Sequence, residues 1–135
     1  ELIAVDPTGS GDVTDTHELW RVRKGTPVMP SVAIVDGQIY TITDEGVLTA
    51  LDVNDGNVVW RKRLGGKYSA SPLVSGDRLM VGDHAGNVTV FRASSNYEEI
   101  ARYELGEQIM ASPVPIGEDL ILRTAAAVYR FARPE

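Results

Sequence analysis

The 135-residue chain contains no cysteine, so disulfides, thiolate metal centres and cysteine nucleophiles are excluded outright. That absence leaves the compartment open, because export does not require disulfides. Basic residues are few: 13 Lys and Arg stand against 19 Asp and Glu, a formal charge of −6, and Arg61-Lys62-Arg63 is the longest basic run. This balance argues against nucleic acid or an anionic membrane surface as the main partner. Long apolar runs are missing too. No stretch approaches the roughly 20 residues of a membrane-spanning helix, and no signal-peptide pattern opens the chain. Helical periodicity is just as scarce, since only Glu98 to Tyr103 offers a turn of helix that competes with a strand.

What is present is a repeated unit. Ser31 to Trp60 alternates apolar residues through Ala33-Ile34-Val35, Ile39-Tyr40-Thr41-Ile42 and Val47-Leu48-Thr49-Ala50-Leu51 and ends in Trp60. Asp36-Gly37, Asp44-Glu45-Gly46 and Asn54-Asp55-Gly56 punctuate the runs, so the stretch reads as four short strands joined by tight turns. A shift of about 40 residues sets Ser31 on Ser71, Ile39 on Leu79, Gly46 on Gly86 and Leu51 on Phe91. A second shift sets Ser71-Pro72 on Ser112-Pro113, Leu79 on Leu120 and Phe91 on Phe131. Residues 1–25 match the second half of a unit, 26–66 and 67–108 are full units, and 109–135 supply three strands before stopping at Pro134-Glu135. About thirteen antiparallel strands in units of this period predict an all-β fold: a β-propeller fragment of about three four-stranded blades.

Trp20 stands where Trp60 stands, although the turn from Asp6 to Trp20 is longer than that from Asp52 to Trp60 by an insertion rich in Gly, Thr and Asp. The first residue is Glu1, and Leu2-Ile3-Ala4-Val5 opens in mid-strand, which leads us to expect a piece of a longer polypeptide. The first unit lacks inner strands and the last lacks its outer one. We therefore expect apolar end faces and self-association through them.

The segment Ala50-x-Asp52-x-x-Asp55-Gly56-x-x-x-Trp60 resembles the tryptophan-docking pattern of PQQ-type, quinoprotein-like propeller repeats, with Asp55 in place of the usual Thr. Ser71-Pro72 and Ser112-Pro113 fit the same family. Gly11-Asp12-Val13-Thr14 before Leu19-Trp20-Arg21, and the closing Val128-Tyr129-Arg130-Phe131, look most like the C-terminal blades of BamB-like PQQ-repeat proteins of bacteria. The resemblance implies that an outer-strand Trp packs between adjacent blades while Asp and Gly shape the turn leading to it. The residues themselves allow this: Asp52 can accept from the backbone two residues on, Gly56 can take a positive φ, and an indole can fill an inter-blade gap. In the second full unit the pattern fades, with Val90, Arg92 and Ile100 at the matching places and a looser junction expected there.

The resemblance further implies a non-catalytic scaffold that presents a protein-interaction surface, in the periplasm or at the cell surface. The structural docking set is Ala50, Asp52, Gly56, Trp60 and Trp20, and no catalytic, cofactor or metal residue is assigned. The partner is a protein of unknown identity, with no nucleic acid and no direct membrane insertion. One alternative is a fragment of a PQQ-dependent alcohol or sugar dehydrogenase, which would bring the quinone and calcium. Another is the extracellular sensor domain of a membrane receptor. Other features read as ordinary turns. The Asp6–Asp12 loop with Asp15 offers oxygen ligands but lacks the spacing of an EF-hand and its closing Glu. His17 and His84 fall in turns, and no Ser or Asp makes a triad legible beside them. Gly65-Gly66-Lys67 reads as an inter-blade turn, and Asn87-Val88-Thr89 as part of a strand.

Overall fold

The structure, a computed structural model, describes residues 1–132. The expected close at Pro134-Glu135 lies outside the described residues. Thirteen strands and no helix are found among them, arranged as four sheets that follow one another along the chain. The first sheet pairs β1 (Leu2–Val5) with β2 (Glu18–Val22). The second holds β3 (Ala33–Val35), β4 (Gln38–Ile42), β5 (Val47–Asp52) and β6 (Val58–Arg63) in sequence order. The third repeats it with β7 (Leu73–Ser75), β8 (Arg78–Gly82), β9 (Asn87–Arg92) and β10 (Glu99–Glu104). The fourth has β11 (Val114–Ile116), β12 (Asp119–Arg123) and β13 (Val128–Phe131). Every pairing is antiparallel between chain neighbours, which makes each sheet a meander and the whole a partial β-propeller.

Local chemistry explains the hairpins. Asp36 and Gly37 both take positive φ, 47° and 76°, the combination that turns a two-residue hairpin with the twist its strands need. Between sheets the chain crosses back over the preceding turn: Leu64 N donates to Gly46 O at 2.8 Å, and Leu105 N to Gly86 O at 2.9 Å. A Cβ on Gly46 would sit 2.1 Å from Gly65 O, and one on Gly86 2.6 Å from Glu107 O, so the crossing requires glycine at both repeats.

The innermost strands are short, three residues each: β7 begins only at Leu73 and β11 only at Val114. The preceding amides turn sideways instead: Ser31 N donates to Ser71 Oγ and Ser71 N to Ser112 Oγ, each at 2.9 Å. Serine hydroxyls thereby link consecutive sheets along the inner rim.

The two middle strands of the second sheet are buried on both faces, as stacking between neighbours demands. The larger core lies between the second and third sheets, where Tyr40, Ile42, Leu48 and Ala50 meet Leu79, Val81 and Phe91. A smaller one, built on Ala70, Val88, Ile109 and Leu122, joins the third and fourth sheets. Ile34 of the second sheet and Val114, Ile116 and Val128 of the fourth remain exposed.

Candidate functional site: the junctions between sheets

Trp60 leaves the edge strand β6 and enters the third sheet. Its indole lies 6.0 Å from the Tyr40 ring of its own sheet and meets Phe91 and Tyr97 of the next edge-on, at 6.2 and 5.6 Å. Its Nε1–H donates to Ser94 O at 2.9 Å. The ring thus buries its apolar body and satisfies its one polar group in the same place, as a buried tryptophan must. Lys62, next but one along the strand, sets its ammonium 5.2 Å from the Tyr97 ring centroid. The Tyr97 hydroxyl donates to Glu99 at 2.6 Å, and burial together with that carboxylate pushes its pKa well up.

Trp20 makes the same move one sheet earlier, its Nε1–H donating to Val53 O at 3.0 Å. It lies over Gly56, where φ is 71° and a Cβ would fall 2.7 Å from the indole Cε3. The turn that receives it is shaped by Asp52, whose Oδ1 accepts from Asn54 N at 2.8 Å, and by Asp55, whose Oδ1 accepts from Asn57 N at 2.8 Å. Ala50 faces Trp60 across the pairing of β5 and β6, leaving room for the large ring. The set Ala50, Asp52, Gly56 and Trp60, all from one segment of the sequence, therefore serves two junctions. Gly56 seats the indole of the preceding unit, while Trp60 is seated by the following one.

The third junction differs, and one residue is corrected there. The pairing sets Ala101, not Ile100, opposite Val90, as Trp60 is opposite Ala50 and Trp20 opposite Ala4. The β9–β10 connection is one residue longer than β5–β6, which moves Ile100 into the bulge that Leu19 and Val59 occupy in the other sheets. Ala101 thus takes the place that Trp60 holds in β6, and Tyr103, two residues on along β10, lines the space beside it. A cleft of about 430 Å³ opens between Met80, Val90 and Leu120, and a second of about 220 Å³ lies between Met80, Leu122 and Phe131.

The long loop between β1 and β2 is held by its own groups. Asp6 accepts from Thr8 N at 2.9 Å, and Asp12 from Thr14 N and Oγ1 at 3.1 and 2.7 Å, which holds both carboxyls below their usual range. His17 Nδ1 bonds Thr16 Oγ1 at 2.7 Å, with its ring packed on Gly9. His84 meets Ser69, Nε2 to Oγ at 2.6 Å, a pairing that the spacing concealed because it arises only where the β8–β9 turn meets the crossing chain. No carboxylate bonds the other ring nitrogen of His84 among the described residues, so the pair lacks the third member that orients a catalytic imidazole. Glu107 accepts from Thr124 Oγ1 at 2.5 Å and Tyr129 hydroxyl at 2.9 Å, and these bonds depress its pKa.

The quinone and calcium of dehydrogenase propellers would need converging carboxylates and amides. The innermost strands here present Ala33, Leu73 and Val114, and no three His, Asp or Glu side chains converge among the described residues.

Comparison with known proteins settles the lineage. Residues 2–97 match the family described as outer membrane protein assembly factor BamB. The chain belongs to the BamB family. A BamB from Alkalilimnicola ehrlichii is 35% identical over 127 residues, 93% of this chain and 31% of that protein. The chain thus spans about a third of the length of this BamB. Among solved structures, BamB from Moraxella catarrhalis superposes with a TM-score of 0.70 at 20% identity, covering 85% of this chain and 36% of the other. A quinohemoprotein alcohol dehydrogenase from Pseudomonas putida superposes at 0.67 with 16% identity, covering 84% and 20%, which shows the shared fold alone.

Proposed function

We propose that the chain is part of a non-catalytic propeller scaffold that displays loops to a protein partner, in the periplasm or at the cell surface. The observation that carries this reading is membership of a family named for outer-membrane protein assembly, on a fold whose sheets are joined by Trp20 and Trp60. Ala50, Asp52, Gly56, Trp60 and Trp20 act structurally. They fix the angle between sheets and so the spacing of the turns at either end. The enlarged Asp6–His17 loop lies on the same end as the β5–β6 and β9–β10 turns and is where a partner would dock.

The test is replacement in a bacterium deleted for its own family member. A gene carrying these residues restores outer-membrane protein levels, and shortening the Asp6–His17 loop to the length of the Asp52–Trp60 turn removes that rescue without removing the protein. Full rescue by the shortened loop would contradict this placement. The dehydrogenase reading is separated by adding the quinone and Ca²⁺ and following dye-coupled alcohol oxidation; saturable turnover would overturn the scaffold.

A further inference from the structure

The inner hairpin turn recurs in three sheets, as Asp36-Gly37, Gly76-Asp77 and Gly117-Glu118. Gly76 and Gly117 hold its first place at φ 59° and 60°, and Asp36 holds the same place at 47°. Asp36 is the one residue other than glycine with positive φ among the described residues, a region that an L side chain enters at a steric cost. Asp36 and Gly37 are both exposed, and open space surrounds the position of a Cβ on Gly37. Among the described residues no hydrogen bond or ion pair holds the Asp36 carboxyl, and no carbonyl accepts from Gly37 N. The chain has one other Asp-Gly step, Asp55-Gly56. There Asp55 Oδ1 and Oδ2 accept from Asn57 N and Nδ2, each at 2.8 Å, and Gly56 N donates to Asp52 O at 2.9 Å. The Trp20 indole covers that turn.

We infer that Asp36 is a site of spontaneous covalent modification, where the link to Gly37 passes through a succinimide to isoaspartate while the fold protects Asp55-Gly56. The Gly37 amide nitrogen attacks Asp36 Cγ and a C–N bond forms. A carboxyl oxygen leaves as water, taking the amide proton and the carboxyl proton. Water then adds back at one of the two ring carbonyls. Opening at the side-chain carbonyl restores aspartate; opening at the main-chain carbonyl leaves the chain running through the side-chain carbon, with the α-carboxyl free. Water is released and taken up again, so no other reactant is consumed. Glycine is the residue that best allows the ring to close, because no Cβ crowds the attacking nitrogen. At Asp55 the same closure needs the three hydrogen bonds of that turn to break. An isoaspartyl link adds a backbone atom to a turn whose length sets the register of β3 and β4. Gly37 O accepts from Val53 N at 3.0 Å, and Val53 O accepts from the Trp20 indole, so the change reaches the first junction. The inference stands apart from the scaffold reading.

The experiment incubates the folded 135-residue chain at physiological temperature and pH beside a sample unfolded in urea, and maps both by peptide mass spectrometry with electron-transfer fragmentation. In the folded chain isoaspartate is expected at Asp36 at least about fivefold faster than at Asp55, the factor that one hydrogen bond of ordinary net worth sets. A transient lighter by one water marks the succinimide. In urea the two Asp-Gly steps keep their chemistry and lose their surroundings, so their rates are expected to converge. Asp36→Gly, which gives the turn the glycine of its two counterparts, removes the modification there and leaves Asp55 unchanged. The isoaspartyl fraction, separated by chromatography, melts below the fresh chain. No isoaspartate at Asp36 in the folded chain, a folded Asp55 that converts as fast, or a contrast that persists in urea would overturn the inference. Equal melting of the fresh and isoaspartyl chains would overturn the link to the Trp20 junction.

Discussion

Truncating Trp60 to alanine removes an indole that touches three rings and one carbonyl across two sheets. Buried tryptophans cost about 3–5 kcal/mol on truncation to alanine. Trp60 is partly buried, since β6 is an edge strand, so the low end applies, about 3 kcal/mol. Phenylalanine at the same place keeps most ring contact and loses the N–H to Ser94 O. Its expected cost is about 1 kcal/mol, the net worth of one hydrogen bond. Urea denaturation followed by far-ultraviolet circular dichroism measures both, with Trp20 fluorescence as a second probe of the first junction. Because sheets contact only their neighbours, W60A also separates the two probes, the first junction and the remainder unfolding at different midpoints. A loss below about 1 kcal/mol for W60A would refute the reasoning, and so would a W60F cost equal to that of W60A, since the ring would then carry nothing.

Gly56→Ala forces a Cβ into the indole of Trp20 at a backbone position with φ 71°, and costs about 2 kcal/mol or more by thermal melting. Gly76→Ala, with φ 59° and open space around it, costs only the backbone strain, so a G56A cost no larger than that of G76A would be contrary to the packing described. At alkaline pH, burial foremost and then the Asp83 charge push the Tyr68 hydroxyl up to about 12 from 10.0, while Tyr40 and Tyr97 are raised by burial too. Folded protein holds that proton longer than unfolded protein does. The stabilisation is complete below pH 10 and is lost as pH rises through about 12, roughly 3 kcal/mol for Tyr68, and Y68F flattens this limb in pH-dependent melts. The exposed Ile34, Val114, Ile116 and Val128 lead us to expect concentration-dependent association of the isolated 135 residues by light scattering; a well-folded monomer at every concentration would count against it.

Much of the architecture was legible because strand alternation and turn residues act locally. Asp36-Gly37 marks its own hairpin, and a repeat of about 40 residues places Trp20 and Trp60 on equivalent edge strands. Residue counting fails where the backbone inserts a residue: Ile100 sits 40 positions from Trp60, yet the longer β9–β10 turn hands that position to Ala101. Contacts between sheets were also hidden. That Gly56 receives Trp20, that Tyr97 closes the Trp60 site, and that Ser69 reaches His84 all depend on how one sheet is set against the next. The serine links along the inner rim left only the recurrence of Ser31, Ser71 and Ser112 as a trace, with nothing in that spacing to say that an amide would be the donor.

The central claim is that Trp60 of one sheet is held by side chains of the next. A double-mutant cycle between Trp60→Ala and Tyr97→Ala reads that coupling directly, because the two rings lie 5.6 Å apart on different sheets. A favourable coupling of about 0.5–1.5 kcal/mol is predicted. Strict additivity of the two losses would contradict the account.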